Sequence, residues 1–141
     1  PETLIVAHVI RQDEVELCLS HHDCAVASDS LLKGGHGHPR AAGTFPRAIR
    51  MLLDKGHHLT DVIHKCTSLP ASMAYLDAGV LAEDNPADIV IFDKNKIKDN
   101  ATFRDELLPP SGIEYVLLSG QIAVQKNEII GKPKGRLIRR R

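Results

Sequence analysis

The chain has 141 residues, with 18 Lys and Arg balancing 18 Asp and Glu, 43% hydrophobic residues and 4% aromatic ones. That length suffices for a buried core, and the balanced charge excludes the basic stripe of a nucleic-acid binder. No apolar run approaches the roughly 18 residues that a membrane span requires.

Leu4–Ile10 (LIVAHVI) is a nearly continuous apolar run, which predicts a strand buried on both faces. In Gln12–Ser20, Val15, Cys18 and Leu19 recur at helical spacing behind Asp13 and Glu14, which predicts a short amphipathic helix with acids at its positive end. Cys24–Ser28 (CAVAS) reads as a second strand ending at Asp29, so the order strand, helix, strand predicts a parallel βαβ unit. The Gly-, His- and Pro-rich stretch Leu31–Gly43 predicts a long loop.

A helix is predicted next, capped by Thr44, with Pro46 in its first turn and Phe45, Ala48, Ile49, Leu52 and Leu53 on one face. Gly56 ends it. Thr60 is expected to cap a helix carrying Val62, Ile63 and Cys66, and Ser68 and Pro70 to start another with Leu69, Met73 and Leu76 on one side. After Gly79 the pattern changes. Asp88–Phe92 (DIVIF) and Ile113–Leu118 (IEYVLL) read as strands, and Ser119-Gly120 as a hairpin turn into Gln121–Gln125. The terminal Arg139-Arg140-Arg141 run reads as a solvated tail.

Three cysteines (Cys18, Cys24, Cys66), odd in number and without CxxC spacing, read as buried, reduced thiols of a cytoplasmic protein. Among eight histidines, His36-Gly37-His38 has a metal-like HxH spacing but only glycines and no carboxylate or Cys close in sequence, which favours a loop. His21-His22 and His57-His58 sit at polar helix ends. Asp29 is the sharpest chemical candidate. At the carboxyl end of a buried strand, where catalytic groups collect in parallel α/β folds, it suits a general base, a metal ligand or a cap on the following turn. There is no Walker loop, GxGxxG, HExxH or GxSxG.

The succession S-D-S (28–30), H-P-R (38–40), G-T-F-P-R (43–47), L-T (59–60), T-S-L-P-A (67–71), P-A-D-I-V-I-F-D (86–93), A-T-F (101–103) and G-I-E-Y-V-L-L-S-G (112–120) resembles the N-acyl-D-amino-acid deacylases (D-aminoacylases) of the amidohydrolase superfamily. The resemblance runs from about residue 4 to 138. HPR followed by GTFPR is a narrow signature, whereas ADIVIFD before a hairpin recurs across amidohydrolases. The resemblance implies an α/β chain: the last two βα units of a (β/α)8 barrel with its closing helices over residues 1–78, then the C-terminal strands of a small β-sandwich over 79–141.

It further implies zinc-dependent hydrolysis of the amide bond of small N-acyl-D-amino acids. Zinc would acidify a water and polarise the acyl oxygen, with Asp29 taking a proton from that water and returning one to the leaving amine. His38 and Arg40 match the loop at the active-site mouth, Arg40 facing an anionic substrate. The family's metal ligands are expected ahead of this segment, so no metal ligand is assigned within it. His36-Gly37-His38 follows Asp29 and does not replace them. Asp84-Asn85-Pro86 departs from the family's turn before A-D, away from the chemistry.

Two eighths of a barrel do not close. The chain is therefore expected to need the N-terminal barrel portion as a partner, to be inactive alone, and to form homo-oligomers through exposed strand edges. A non-catalytic binding or assembly module and a segment of another amidohydrolase, such as a dihydroorotase-like enzyme, are the alternatives. Neither nucleic acid nor membrane is an expected partner.

Overall fold

The computed structural model describes residues 7, 9–132 and 135–139. Helix α1 (Gln12–Ser20) lies where the apolar spacing predicts it. Glu14 in its first turn accepts the Arg11 backbone N–H at 2.9 Å. Farther along, Glu16 pairs with Lys55 at 2.6 Å and ties α1 to the next long helix.

From Cys24 to Leu31 the chain has no regular secondary structure, so the predicted strand at Cys24–Ser28 and the parallel βαβ unit are not observed. A strand exists only against a lateral partner, and this segment's backbone bonds to a helix end instead: the Val26 N–H donates to the Lys65 carbonyl at 2.9 Å. Lys65, only 5% exposed, returns the contact, its Nζ donating to the carbonyls of His21 and Cys24. Three strongly polar groups thereby satisfy one another in a place that water barely reaches. The other predicted barrel strand, Leu4–Ile10, lies outside the described residues except for Ala7, Val9 and Ile10, which are irregular.

The predicted long loop contains a small antiparallel hairpin, β1 (Leu32–Lys33) with β2 (His36–Gly37). Gly34 and Gly35 turn it with φ of 61° and 83°, the left-handed conformation such a tight turn demands. Helix α2 (Arg40–Asp54) then starts four residues earlier than Thr44. Thr44 does not cap it. Its hydroxyl donates back to the Arg40 carbonyl at 2.9 Å, and Pro46 sits inside the helix, buried. Of the predicted apolar face, Ala48, Ile49 and Leu52 are buried, whereas Phe45 is exposed.

Helices α3 (Leu59–Cys66) and α4 (Ser68–Met73) follow. His58 rather than Thr60 occupies the cap position of α3, and α4 buries Ala71 while Met73 is exposed. The second layer is a four-stranded antiparallel sheet in sequential order: β3 (Ile89–Phe92), β4 (Ile113–Leu118), β5 (Gln121–Gln125) and β6 (Glu128–Ile129). Ser119-Gly120 forms the predicted turn, with φ of 49° and 77°. A second such turn at Lys126-Asn127 (47° and 68°) leads to β6, which the sequence reading lacks.

Ile49, Leu52, Val62 and Ile97 form the buried core cluster, with Leu19, Leu53, Phe92 and Ile113 packed against it. Ile97 joins helices to sheet. It is embedded in the polar run 93–100, and the turn at Asp93, whose carboxylate accepts the Asn95 N–H at 2.8 Å, folds it inward. The expected helices and the strands expected after Gly79 are thus present, the helices against a sheet that is antiparallel throughout.

Candidate functional site

Asp29 lies between the irregular segment after α1 and the β1–β2 hairpin, with its backbone at φ 44°. A left-handed, non-glycine conformation is tolerated by Asp better than by most residues. Its side chain is 90% exposed, and its carboxylate meets the Arg40 guanidinium at 3.2 Å.

Arg40 is the first residue of α2. A cation there faces the positive end of the helix dipole, an unfavourable place that a neighbouring carboxylate offsets. His38, two residues earlier, accepts the Arg40 backbone N–H through Nδ1 at 3.1 Å. Its ring stands edge-on to Phe103 with centroids 5.2 Å apart. The structure therefore brings Asp29, His38 and Arg40 to one end of α2: Asp29 pairs with Arg40, and His38 supports the Arg40 backbone.

His36 does not join His38 as a ligand pair. Its Nδ1 lies 3.0 Å from Glu106 Oε1, and the Gly37 N–H donates to the same oxygen at 3.4 Å. Hydrogen bonds from its own backbone N–H, from His36 and from Gly37 hold the Glu106 carboxyl below the ordinary carboxylate range. Glu106 and Phe103 escape sequence reasoning because they lie some 70 residues from the loop they contact. The A-T-F motif (101–103) is the only local signal there.

Among the described residues, one group of three potential metal ligands exists, His21, His22 and Asp23, all exposed in the turn after α1. Asp29 is not part of it, so the donor set here does not fit a zinc centre around Asp29, which would need three or four converging N, O or S ligands. The cysteines form none either. Cys18 is exposed rather than buried, Cys24 and Cys66 are partly buried, and burial pushes the Cys66 thiol up to about 11.

A cavity of about 410 Å³ opens between the helices and the sheet, lined by Phe45, Ile49, Ile63, Cys66, Phe92 and Ile113 among others. Asp29, His38 and Arg40 do not line it, and its apolar walls suit packing rather than proton transfer. No helix among the described residues is long and apolar enough to cross a membrane.

Residues 13–124 match the amidohydrolase family. The chain is 36% identical over 132 residues to an N-acyl-D-glutamate deacylase of Alcaligenes xylosoxydans xylosoxydans, covering 92% of this chain and 27% of that protein. A dihydroorotase of Streptococcus thermophilus aligns at 34% identity over only 52% of the chain and 20% of that protein. The crystal structure of a D-aminoacylase superposes with a TM-score of 0.84 at 28% identity, over 93% of this chain and 28% of that one. An N-acyl-D-glutamate deacylase of Bordetella bronchiseptica, solved with zinc and a phosphonate inhibitor mimicking the tetrahedral intermediate, superposes at 0.74 with 32% identity, over 81% of this chain and 25% of that one. The chain thus spans about a quarter of the length of these deacylases.

Proposed function

The chain belongs to the amidohydrolase family, and from that premise we propose that it is the Asp29-bearing segment of a zinc-dependent N-acyl-D-amino-acid deacylase. The observation that carries this reading is the Asp29–Arg40 pair, 3.2 Å apart, built from the S-D-S and H-P-R motifs. It sets a proton acceptor beside an anion-binding guanidinium, the two groups that hydrolysis of an anionic amide needs.

In this reaction water adds its oxygen to the acyl carbon and the carbon–nitrogen bond breaks. Asp29 takes the proton that the attacking water gives up and passes it to the departing amine nitrogen. Arg40 binds a substrate carboxylate, which replaces Asp29 as its partner and leaves the Asp29 carboxylate free to accept the proton. Among the described residues no ligand set converges on Asp29, so the zinc ligands would come from the portion of the enzyme expected ahead of this segment.

Residues 1–78 then supply the closing part of the barrel and residues 79–141 a share of the β-sandwich. Val9 and Ile10, 80% and 68% exposed, are the last two residues of the run read as a barrel strand and are apolar surface that the rest of a barrel would cover. Uncovered, the same surface favours self-association of the isolated chain. The deacylase reading stands above the dihydroorotase one because the deacylase likeness extends over 92% of the chain at 36% identity, against 52% to 72% of the chain at 34% and 30% for dihydroorotases.

A zinc-supplemented assay of the 141-residue chain with an N-acyl-D-amino acid tests the incomplete-site claim. No turnover above background is expected. Turnover that Asp29→Ala abolishes would show that the chain holds a complete site.

A further inference from the structure

The β1–β2 hairpin is a weak element. Each strand has two residues, every residue from Leu31 to His36 is exposed, and two glycines form its turn. A two-stranded hairpin of that size has little stability of its own in water. Yet it leads directly to His38 and Arg40, whose placement decides whether the guanidinium reaches Asp29.

The loop 99–111, which links the end of the core turn to β4, has the opposite character. Asn100 Nδ2 donates to the Pro109 carbonyl and to Ser111 Oγ, both at 2.9 Å. Thr102 Oγ1 accepts the backbone N–H of Asp105 at 3.0 Å, the Thr102 N–H donates to the Asp105 carbonyl at 3.1 Å, and Lys98 pairs with Ser111. The loop is anchored to α2 as well. Gly43 leaves the space that the Asp99 carboxylate occupies, and a Cβ there would collide with it. Such a self-bonded, anchored loop presents its side chains from a fixed platform.

From this platform Glu106 and Phe103 reach the hairpin and its exit. Glu106, its side chain 15% exposed, engages His36 and the Gly37 N–H, and Phe103 packs against the His38 ring. These contacts fall at consecutive positions, 36, 37 and 38, just before Arg40. Gly37 itself approaches the Leu31 carbonyl so closely that a side chain would not fit, so the hairpin end is held from both sides.

The geometry points to Glu106 as a positioning residue that, with Phe103, braces the 31–40 loop so that Arg40 is presented over Asp29. Its function in catalysis rests on the deacylase reading given above. Glu106 touches no reacting atom. It acts through Arg40, so it governs capture of the substrate anion more than proton transfer.

Two measurements test this. Hydrogen exchange of the peptide covering residues 31–40 in this chain should quicken at least about fivefold in Glu106→Ala and stay near wild type in Glu106→Gln. The Gln amide oxygen still accepts from Gly37 and from a neutral His36. In the full-length protein with N-acyl-D-glutamate, Glu106→Ala should raise KM roughly tenfold while kcat changes less than about threefold, with Glu106→Gln restoring most of KM.

Unchanged exchange in Glu106→Ala, or a fall in kcat at constant KM, overturns the inference. A wild-type protein without activity on any N-acyl-D-amino acid overturns the deacylase reading and the catalytic consequence with it. The exchange result then decides the brace separately.

Discussion

The Asp29 carboxylate and the Arg40 guanidinium meet at 3.2 Å across the hairpin that separates them in sequence. With Asp29 90% exposed, such a pair contributes little to folding stability, because water and salt screen it. A weakly held pair of opposite charges at the start of a helix is easily opened by a competing anion. That property suits a substrate site better than a structural strut.

Arg40→Lys should therefore leave the thermal midpoint of this chain nearly unchanged. In the full-length protein it should raise KM for an N-acyl-D-amino acid by about tenfold or more, because a lysine loses the planar two-pronged contact with a carboxylate. Steady-state kinetics beside a thermal melt checks both halves.

Ile97 is 2% exposed and joins the helical layer to the sheet. Ile97→Ala is expected to destabilise the chain by about 2–5 kcal/mol, the range for large-to-alanine changes in a packed core. Urea denaturation followed by circular dichroism measures it. The exposed Leu17→Ala, by contrast, should fall within about 0.5 kcal/mol of wild type.

Alkylation separates the thiols. With Cys66 pushed up to about 11 by burial, little thiolate exists at pH 8 and its reaction with iodoacetamide should be slow. Exposed Cys18 should be labelled first, as peptide mass spectrometry would record.

Among the described residues, three carboxylates are held below their ordinary values: Glu16 by Lys55 and Gln12, Asp93 chiefly by the Asn95 N–H, and Glu106 by its own N–H, His36 and Gly37. Each is a stronger acid when folded, so the unfolded chain binds more protons in acid and stability rises with pH there. Their contribution is full above the ordinary values of 3.8 and 4.5 and disappears as pH falls through the lower folded values. Denaturation midpoints should be level from pH 7 to about 5.5 and decline below about 4.5, with a shallower decline in Glu16→Gln.

What could be read from the residues follows from the range of the forces involved. The Ser119-Gly120 turn and its flanking strands were legible because turn chemistry and alternation are local. The same holds for α1, whose spacing and acidic first turn define it. The start of α2 lies five residues ahead of the one that the sequence suggests, because Thr44 and Pro46 mimic a cap and a first turn. Contacts to His38 and within the α2 core carry the helix back to Arg40. Ile97 and Glu106 were invisible inside polar runs, since only the folded loop shows which side of each run faces inward. Cys24–Ser28 has the composition of a strand, but composition supplies no neighbour to bond with, and Lys65 takes that role. Asp29, His38 and Arg40 were legible as motifs. Their meeting at one end of α2 needed the structure.

In the proposed function Asp29 is the proton-transfer group of an N-acyl-D-amino-acid deacylase. The most direct test of that role is the zinc-supplemented full-length protein, wild type and Asp29→Asn, assayed with N-acyl-D-glutamate and its L enantiomer. The predicted result is hydrolysis of the D form alone, reduced by about a hundredfold or more in kcat for the folded Asn variant. Full activity in Asp29→Asn, or no hydrolysis of any N-acyl-D-amino acid by the wild type, would contradict it.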